Sequence, residues 1–207
     1  ADSADGEDRE RLQAAAAAAD DLLHVSEDLL TLARGDLDER MRWEIVDLAE
    51  LAGEMRAAHP GLRVALPESA TDLRTVGDPA RMRQVLRNLV RNAVRASGST
   101  VGVALRLSAI GAKDAPDSVR VVVQDNGPGL SDAELAQVFD RYRTGAGGTG
   151  LGLAVVRRLV ERMGGTVRAE RADGGGATFA IEVPSLAASV EEEEAAEAGD
   201  ACDDPSS

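Results

Sequence analysis

At 207 residues, with 43% hydrophobic but only 2% aromatic side chains, the chain has material for one ordinary domain plus extensions. Its formal charge of −14 argues against a nucleic-acid or anionic-membrane surface, although a local basic patch leaves room for a nucleotide. Cys202 stands alone, which excludes a disulfide framework or a cysteine-based metal site, and no apolar run is long enough to span a bilayer, so the composition is that of a soluble, cytoplasmic domain.

Residues 1–8 are polar and expected to be disordered, and the Ala14–Ala19 run that follows is too short, and lacks the cationic flank, for a signal peptide. From about Arg9 to Arg34, Leu12, Ala16, Ala19, Leu22, Leu23, Leu29 and Leu30 recur at near-heptad spacing with no Gly or Pro. That is the pattern of one helix of several turns with an apolar seam, ended by Gly35. A helix cannot bury such a seam alone, so it wants a partner helix in this chain or another. Arg42–Leu48 reads as a strand holding Trp43 as a packing residue, Ala49–Ala58 as a helix, and Leu62–Leu66 and Leu73–Val76 as short strands.

Asp78 then caps a helix, with Pro79 at its first position, that runs to about Ala96. Met82, Val85, Leu86, Leu89, Val90 and Ala93 form its core stripe, and Asn88 and Asn92 fall together on one flank, next to Arg95. A single Asn there is best explained by loop backbone or solvent. Two stacked amides with an arginine one turn later are better explained by Mg²⁺ and phosphates, because a carbonyl oxygen suits that hard cation and a guanidinium suits the anion.

The next two signals are glycine-rich turns. D-N-G-P-G, Asp125 to Gly129, follows the β-branched run Val121–Val123, so a carboxylate sits where a strand ends, able to accept a hydrogen bond from an exocyclic amine. G-G-T-G-L-G-L, Gly147 to Leu153, opens a helical pattern that runs to Met163, and backbone N–H groups at such an N-terminus make an anion site. Either turn alone would be an ordinary loop needing positive φ. The second lacks the G-K-[ST] of a P-loop, and no strand-turn-helix unit of dinucleotide-binding type precedes it. After Pro184 the chain turns Ala-, Glu- and Asp-rich, with the run Glu191–Glu194, and 186–207 reads as a disordered acidic tail holding eight of the 37 acidic residues.

In order, R-M-R-Q-V-L-R-N-L-V-R-N-A-V-R, D-N-G-P-G, V-F-D-R-Y-R and G-G-T-G-L-G-L resemble the N, first glycine, F and second glycine boxes of bacterial sensor histidine kinases, members of the GHKL ATPase superfamily. The match covers about Arg42 to Pro184, including a closing G-G-G-A-T-F-A-I-E-V-P. It implies an α/β fold, the two-layer sandwich of the Bergerat type: a mixed, largely antiparallel sheet with helices on one face and ATP under a lid. It also implies a division into a partial dimerisation hairpin and linker over 9–40, an ATP-binding catalytic domain over 41–185, and the tail. Asp125 would take the adenine amino group with Thr178 in support, and Gly127 and Gly129 would let the backbone approach the base. Asn92 would be the Mg²⁺ ligand, Asn88 a second polar contact near metal and phosphates, and Arg95 a phosphate contact. Gly148, Gly150 and Gly152 would shape the phosphate turn together with Thr149, Leu151 and Leu153. Phe139 and Tyr142 would anchor the lid, with Arg141 or Arg143 reaching the γ-phosphate across a lid that is short for the family.

Members that hydrolyse ATP, such as gyrase, and the anti-sigma serine kinases carry a glutamate base one turn before the metal asparagine. Here that position is Asn88, and an amide cannot accept a proton at neutral pH. Imidazole needs no such base, so the resemblance favours transfer to histidine. The family's acceptor lies in H-E/D-x-x-x-P, whereas His24 reads H-V-S-E-D and His59 reads H-P-G. The acceptor is therefore expected outside this chain, on the first helix of a hairpin of which residues 9–34 resemble the second. The implied partners are ATP, the protein's own dimerisation domain in a homodimer, and a response regulator, in a protein anchored in the bacterial inner membrane by a segment outside this chain. The rival readings are a non-catalytic ATP-sensing or docking module and an anti-sigma-type serine kinase.

Overall fold

Two aspartates start the two helices that precede the site. Asp47 Oδ1 accepts from the Ala49 and Glu50 amides at 2.8 and 3.2 Å, and Asp78 Oδ1 from Ala80 and Arg81 at 2.9 and 3.1 Å. Each satisfies donors that a first turn leaves unpaired. The computed structural model describes residues 15, 19, 22, 23, 25, 26, 28–31, 41–67, 72–112, 115–141 and 149–190. Its elements are β1 (Glu44–Asp47), α1 (Leu48–Ala58), β2 (Arg63–Ala65), β3 (Arg74–Gly77), α2 (Pro79–Ser97), a 3-10 turn (Thr100–Gly102), β4 (Ala104–Gly111), β5 (Pro116–Gln124), α3 (Asp132–Leu135), α4 (Gly152–Arg162), β6 (Thr166–Arg171) and β7 (Ala177–Pro184).

Five strands form one sheet in the order β2-β4-β5-β7-β6, with β2 parallel to β4 and every other pairing antiparallel. β1 and β3 pair separately as an antiparallel ribbon, joined to the sheet where Thr75 Oγ1 donates to the Pro184 carbonyl at 2.7 Å. The mixed sheet and the helices on one face are the architecture that the resemblance implied.

Period-2 and period-3.6 patterns meet in the core. Val119, Val121 and Val123 of β5 and Phe179, Ile181 and Val183 of β7 alternate inward against the α2 stripe Met82, Val85, Leu86, Leu89, Val90 and Ala93 and against Val155, Val156, Leu159 and Val160 of α4. Each fully buried Val or Leu is worth roughly 1.5–3 kcal/mol, so this layer contact positions α2 and α4 beside the end of β5.

Three expectations change. Trp43 is 54% exposed instead of packed: it shares its side with the exposed Ile45, while Val46 turns inward, so strand alternation carries the indole out of the core. The described residues of the leading segment are all helical, but the domain-facing ones are polar: Asp28 and Thr31 are buried, and Leu22 and Leu23 are 71% and 65% exposed. The seam residues Leu22, Leu23, Leu29 and Leu30 are thus turned away from the domain. Residues 186–190, assigned to a disordered tail, are helical, because the buried Ser185 hydroxyl accepts from the Ala188 amide at 3.0 Å and the Ser185 carbonyl from Ser189. The first eight residues, His24 and the run Glu191–Glu194 lie outside the described residues. His59 caps α1, with its Nδ1 3.1 Å from the Met55 carbonyl. Among the described residues no helix is long and apolar enough to cross a membrane.

Candidate functional site

The end of β5 delivers Asp125 into the layer between sheet and helices. It is 2% exposed, and its Oδ1 accepts from the Gly127 amide at 2.9 Å and the Ala177 amide at 3.1 Å. Its Oδ2 is also buried and has no hydrogen-bond partner among the described residues. A buried acceptor left unpaired costs on the order of 1–3 kcal/mol, and an exocyclic amine would repay that cost. The turn is pressed against its neighbours: a Cβ on Gly127 would lie 2.7 Å from the Ala96 carbonyl oxygen, at the end of α2, and the Asn126 amide lies 3.4 Å from Ser97 Oγ. Gly129 takes a left-handed φ of 78°.

Gly176, at φ 87°, stacks its backbone directly on the Asp125 carbonyl, where any Cβ would overlap that oxygen. The tight join lets Ala177 reach Asp125, and it was hidden in the sequence although G-G-G before A-T-F marks a backbone that needs room. Thr178 does not support Asp125. Strand alternation puts its side chain with Ala180 and Glu182 on the sheet face away from the helices, and the Ala177 N–H takes the role expected of it.

The flank of α2 forms the other end. Asn88 is 7% exposed, and its Nδ2 donates to the Gly152 carbonyl at 3.3 Å and to Asp28 Oδ1 at 3.1 Å. Asn88 therefore ties α2 to the first residue of α4, where the second glycine turn ends. Asn92, one turn on, is half-buried, and its side chain makes no hydrogen bond among the described residues. Arg95 lies exposed in the last turn of α2. Thr149 is exposed, Gly150 has φ 67°, Leu151 is buried, and Leu153 packs against the core. Gly148, Tyr142 and Arg143 lie outside the described residues; Arg141 is exposed. Phe139 sets its ring edge-on to Phe179, with centroids 6.3 Å apart at 84°, which holds this segment against the core.

The α2 flank, the acidic turn and the start of α4 are thus one contiguous surface, joined by Asn126–Ser97, Gly127–Ala96 and Asn88–Gly152. Residues 77–187 match the family model described as histidine kinase-, DNA gyrase B-, and HSP90-like ATPase. The chain belongs to that family. What it holds is the family's ATP-binding domain: it is 32% identical to the ATP-binding domain of PrrB from Mycobacterium tuberculosis, covering 69% of this chain and 97% of that one at a TM-score of 0.52. Full-length ShkA in complex with AMPPNP is 33% identical, with 86% of this chain and 38% of that chain covered and a TM-score of 0.64. The sensor histidine kinase ZraS of Klebsiella oxytoca is 37% identical over 190 residues, 87% of this chain; the chain spans only 39% of that relative's length.

Two residues of the site have no counterpart in the sequence reading. Asp28 and Gln84 meet at Asn88: Gln84 Nε2 donates to Asp28 Oδ1 at 3.1 Å and lies 3.3 Å from Thr31 Oγ1. The available signal was that Asp28 and Thr31, three apart, share one helix face opposite the leucines.

Proposed function

We propose that this domain transfers the γ-phosphoryl group of ATP to a histidine on a dimerisation domain, for relay to a response-regulator aspartate. The observation that carries the reading is the buried, unpaired Asp125 Oδ2, an acceptor held ready for an adenine amino group, on the same surface as Asn92 and the start of α4. That fit is chemical: an amine donor satisfies the one open valence at the base end, and backbone donors at the α4 N-terminus suit phosphate oxygens.

Asn92 supplies the protein ligand for Mg²⁺, and Asn88 stays beside it as a polar contact. An asparagine carbonyl oxygen suits this hard cation, and nucleotide oxygens and water would complete its ligand set. When bound, Mg²⁺ neutralises charge on the transferring group. Arg95 and Arg141, both exposed, are in the segments from which a guanidinium can pair with phosphate oxygens. The acceptor imidazole forms a P–N bond while the bridging P–O bond breaks, and ADP leaves. The α2 position one turn before Asn92 holds an amide, so this helix offers no general base to a water or a serine hydroxyl. The intact protein is then a membrane-anchored homodimer with this domain in the cytoplasm.

Incubation with γ-labelled ATP tests the reading. The chain alone remains unlabelled, and a separately supplied dimerisation domain acquires acid-labile phosphohistidine. Acid-stable phosphoserine would favour the serine-kinase reading, nucleotide binding without any transfer a sensing module, and acid-labile label on His24 would overturn the external acceptor. Asn92→Ala abolishes the Mg²⁺-dependent transfer; undiminished transfer would remove Asn92 from the metal.

A further inference from the structure

The contact between the leading helix and the site is made by a buried carboxylate. Asp28 is 6% exposed; its Oδ1 takes hydrogen bonds from Asn88 Nδ2 and Gln84 Nε2, both at 3.1 Å, and its Oδ2 lies 3.7 Å from where a Cβ on Gly152 would sit. Thr31, one turn further, is buried against the same helix, within 3.3 Å of Gln84 Nε2 and 3.5 Å of the Arg81 guanidinium. The surface made by Gln84, Asn88 and Gly152 therefore presents donors and a helix N-terminus, and a negative group fills it.

We infer that this surface is an anion-accepting dock shared by two occupants: the acidic face of the protein's own leading helix, through Asp28, and the phosphate end of the nucleotide. The inference rests on the nucleotide site proposed above. Asn88 and Gly152 belong to both. Asn88 lies one turn from the proposed metal ligand, and Gly152 closes the proposed phosphate turn. A triphosphate arriving there meets a carboxylate that is buried, where like charges are poorly screened. Binding of either occupant therefore weakens binding of the other by the same factor. The exposed Leu22, Leu23, Leu29 and Leu30 fit this reading, because among the described residues the two buried side chains of this helix, Asp28 and Thr31, are polar.

Asp28→Asn tests the charge while keeping an oxygen to accept from Gln84 and Asn88. Calorimetric titration of the full chain with Mg-ATP and with adenosine is expected to show about fivefold or greater tightening for ATP in Asp28→Asn, and no change for adenosine. A second measurement follows the helix itself: spin labels at Leu22→Cys and Arg56→Cys, in a Cys202→Ser background, should move apart when saturating Mg-ATP is added. Equal or weaker ATP binding by Asp28→Asn, equal tightening for adenosine, or a label distance unmoved by bound ATP overturns the shared dock. Failure of the unsubstituted chain to bind either ATP or adenosine overturns the nucleotide site itself, and the dock with it.

Discussion

The proposed base end and the proposed phosphate end of the site are built by different means. At the base end backbone fixes everything: Gly176 and Gly127 bring two chain segments into contact, Ala177 and Gly127 amides hold Asp125 Oδ1, and a single oxygen remains open. At the phosphate end a side chain, Asn88, joins α2 to α4, and part of its hydrogen-bonding goes to a helix from outside the sandwich. Thr149, Arg95 and Arg141 around it are exposed. A backbone-built end cannot change its preference without unfolding, whereas a side-chain-built end can exchange partners. On the proposed reading, the base preference is thereby held by backbone, and the phosphate end is the one open to control.

The largest effect tests whether the base end is part of the core. Phe179 is fully buried, pairs with Val123 at the end of β5, and carries the Phe139 ring. Phe179→Ala should cost about 3–5 kcal/mol of stability in urea denaturation. A loss under about 1 kcal/mol would mean that the base end is not anchored as described. Next comes Asp125→Asn, which replaces the open acceptor with either a donor facing a donor or a broken pair of backbone contacts. Affinity should fall by about 1–3 kcal/mol, and by the same factor for adenosine as for ATP. Were ATP weakened and adenosine untouched, the two ends would have been assigned the wrong way round.

The division also explains what could be read from residues alone. The α2 stripe and Asp78 cap and the strand ends at β3 and β5 were legible, because each depends on local period, capping or turn chemistry. Trp43 was misjudged because a tryptophan's hydrophobicity says nothing about which way a strand's alternation points it. Thr178 was misplaced for the related reason that one residue of register decides its face, and register is set by pairing with β5. The burial of Asp28 was illegible because it depends on which face of the leading helix meets α2. Hydrophobic periodicity predicted the opposite face, yet Leu22, Leu23, Leu29 and Leu30 are exposed among the described residues.

The smallest effect serves as the control for both ends, since it lies on the sheet face away from the helices. Glu182 accepts from Ser118 Oγ at 2.9 Å and pairs with the Arg120 guanidinium at 2.9 Å across β5 and β7. Hydrogen bonding from Arg120, with Ser118 second, holds its carboxyl below the ordinary carboxylate range. Because the folded value is depressed, the pair's contribution is fully present above the unfolded value of about 4.3 and is lost as pH falls through the folded one. Both side chains are about a third exposed or more, so solvent screening limits the contribution to less than about 1 kcal/mol. Glu182→Gln should therefore melt slightly lower than the unsubstituted chain at pH 7, with the gap closing toward pH 3, and bind ATP unchanged. A gap that persists below both values would assign the stabilisation to packing rather than charge. A change in ATP affinity would show that the outer face of the sheet is coupled to the site after all.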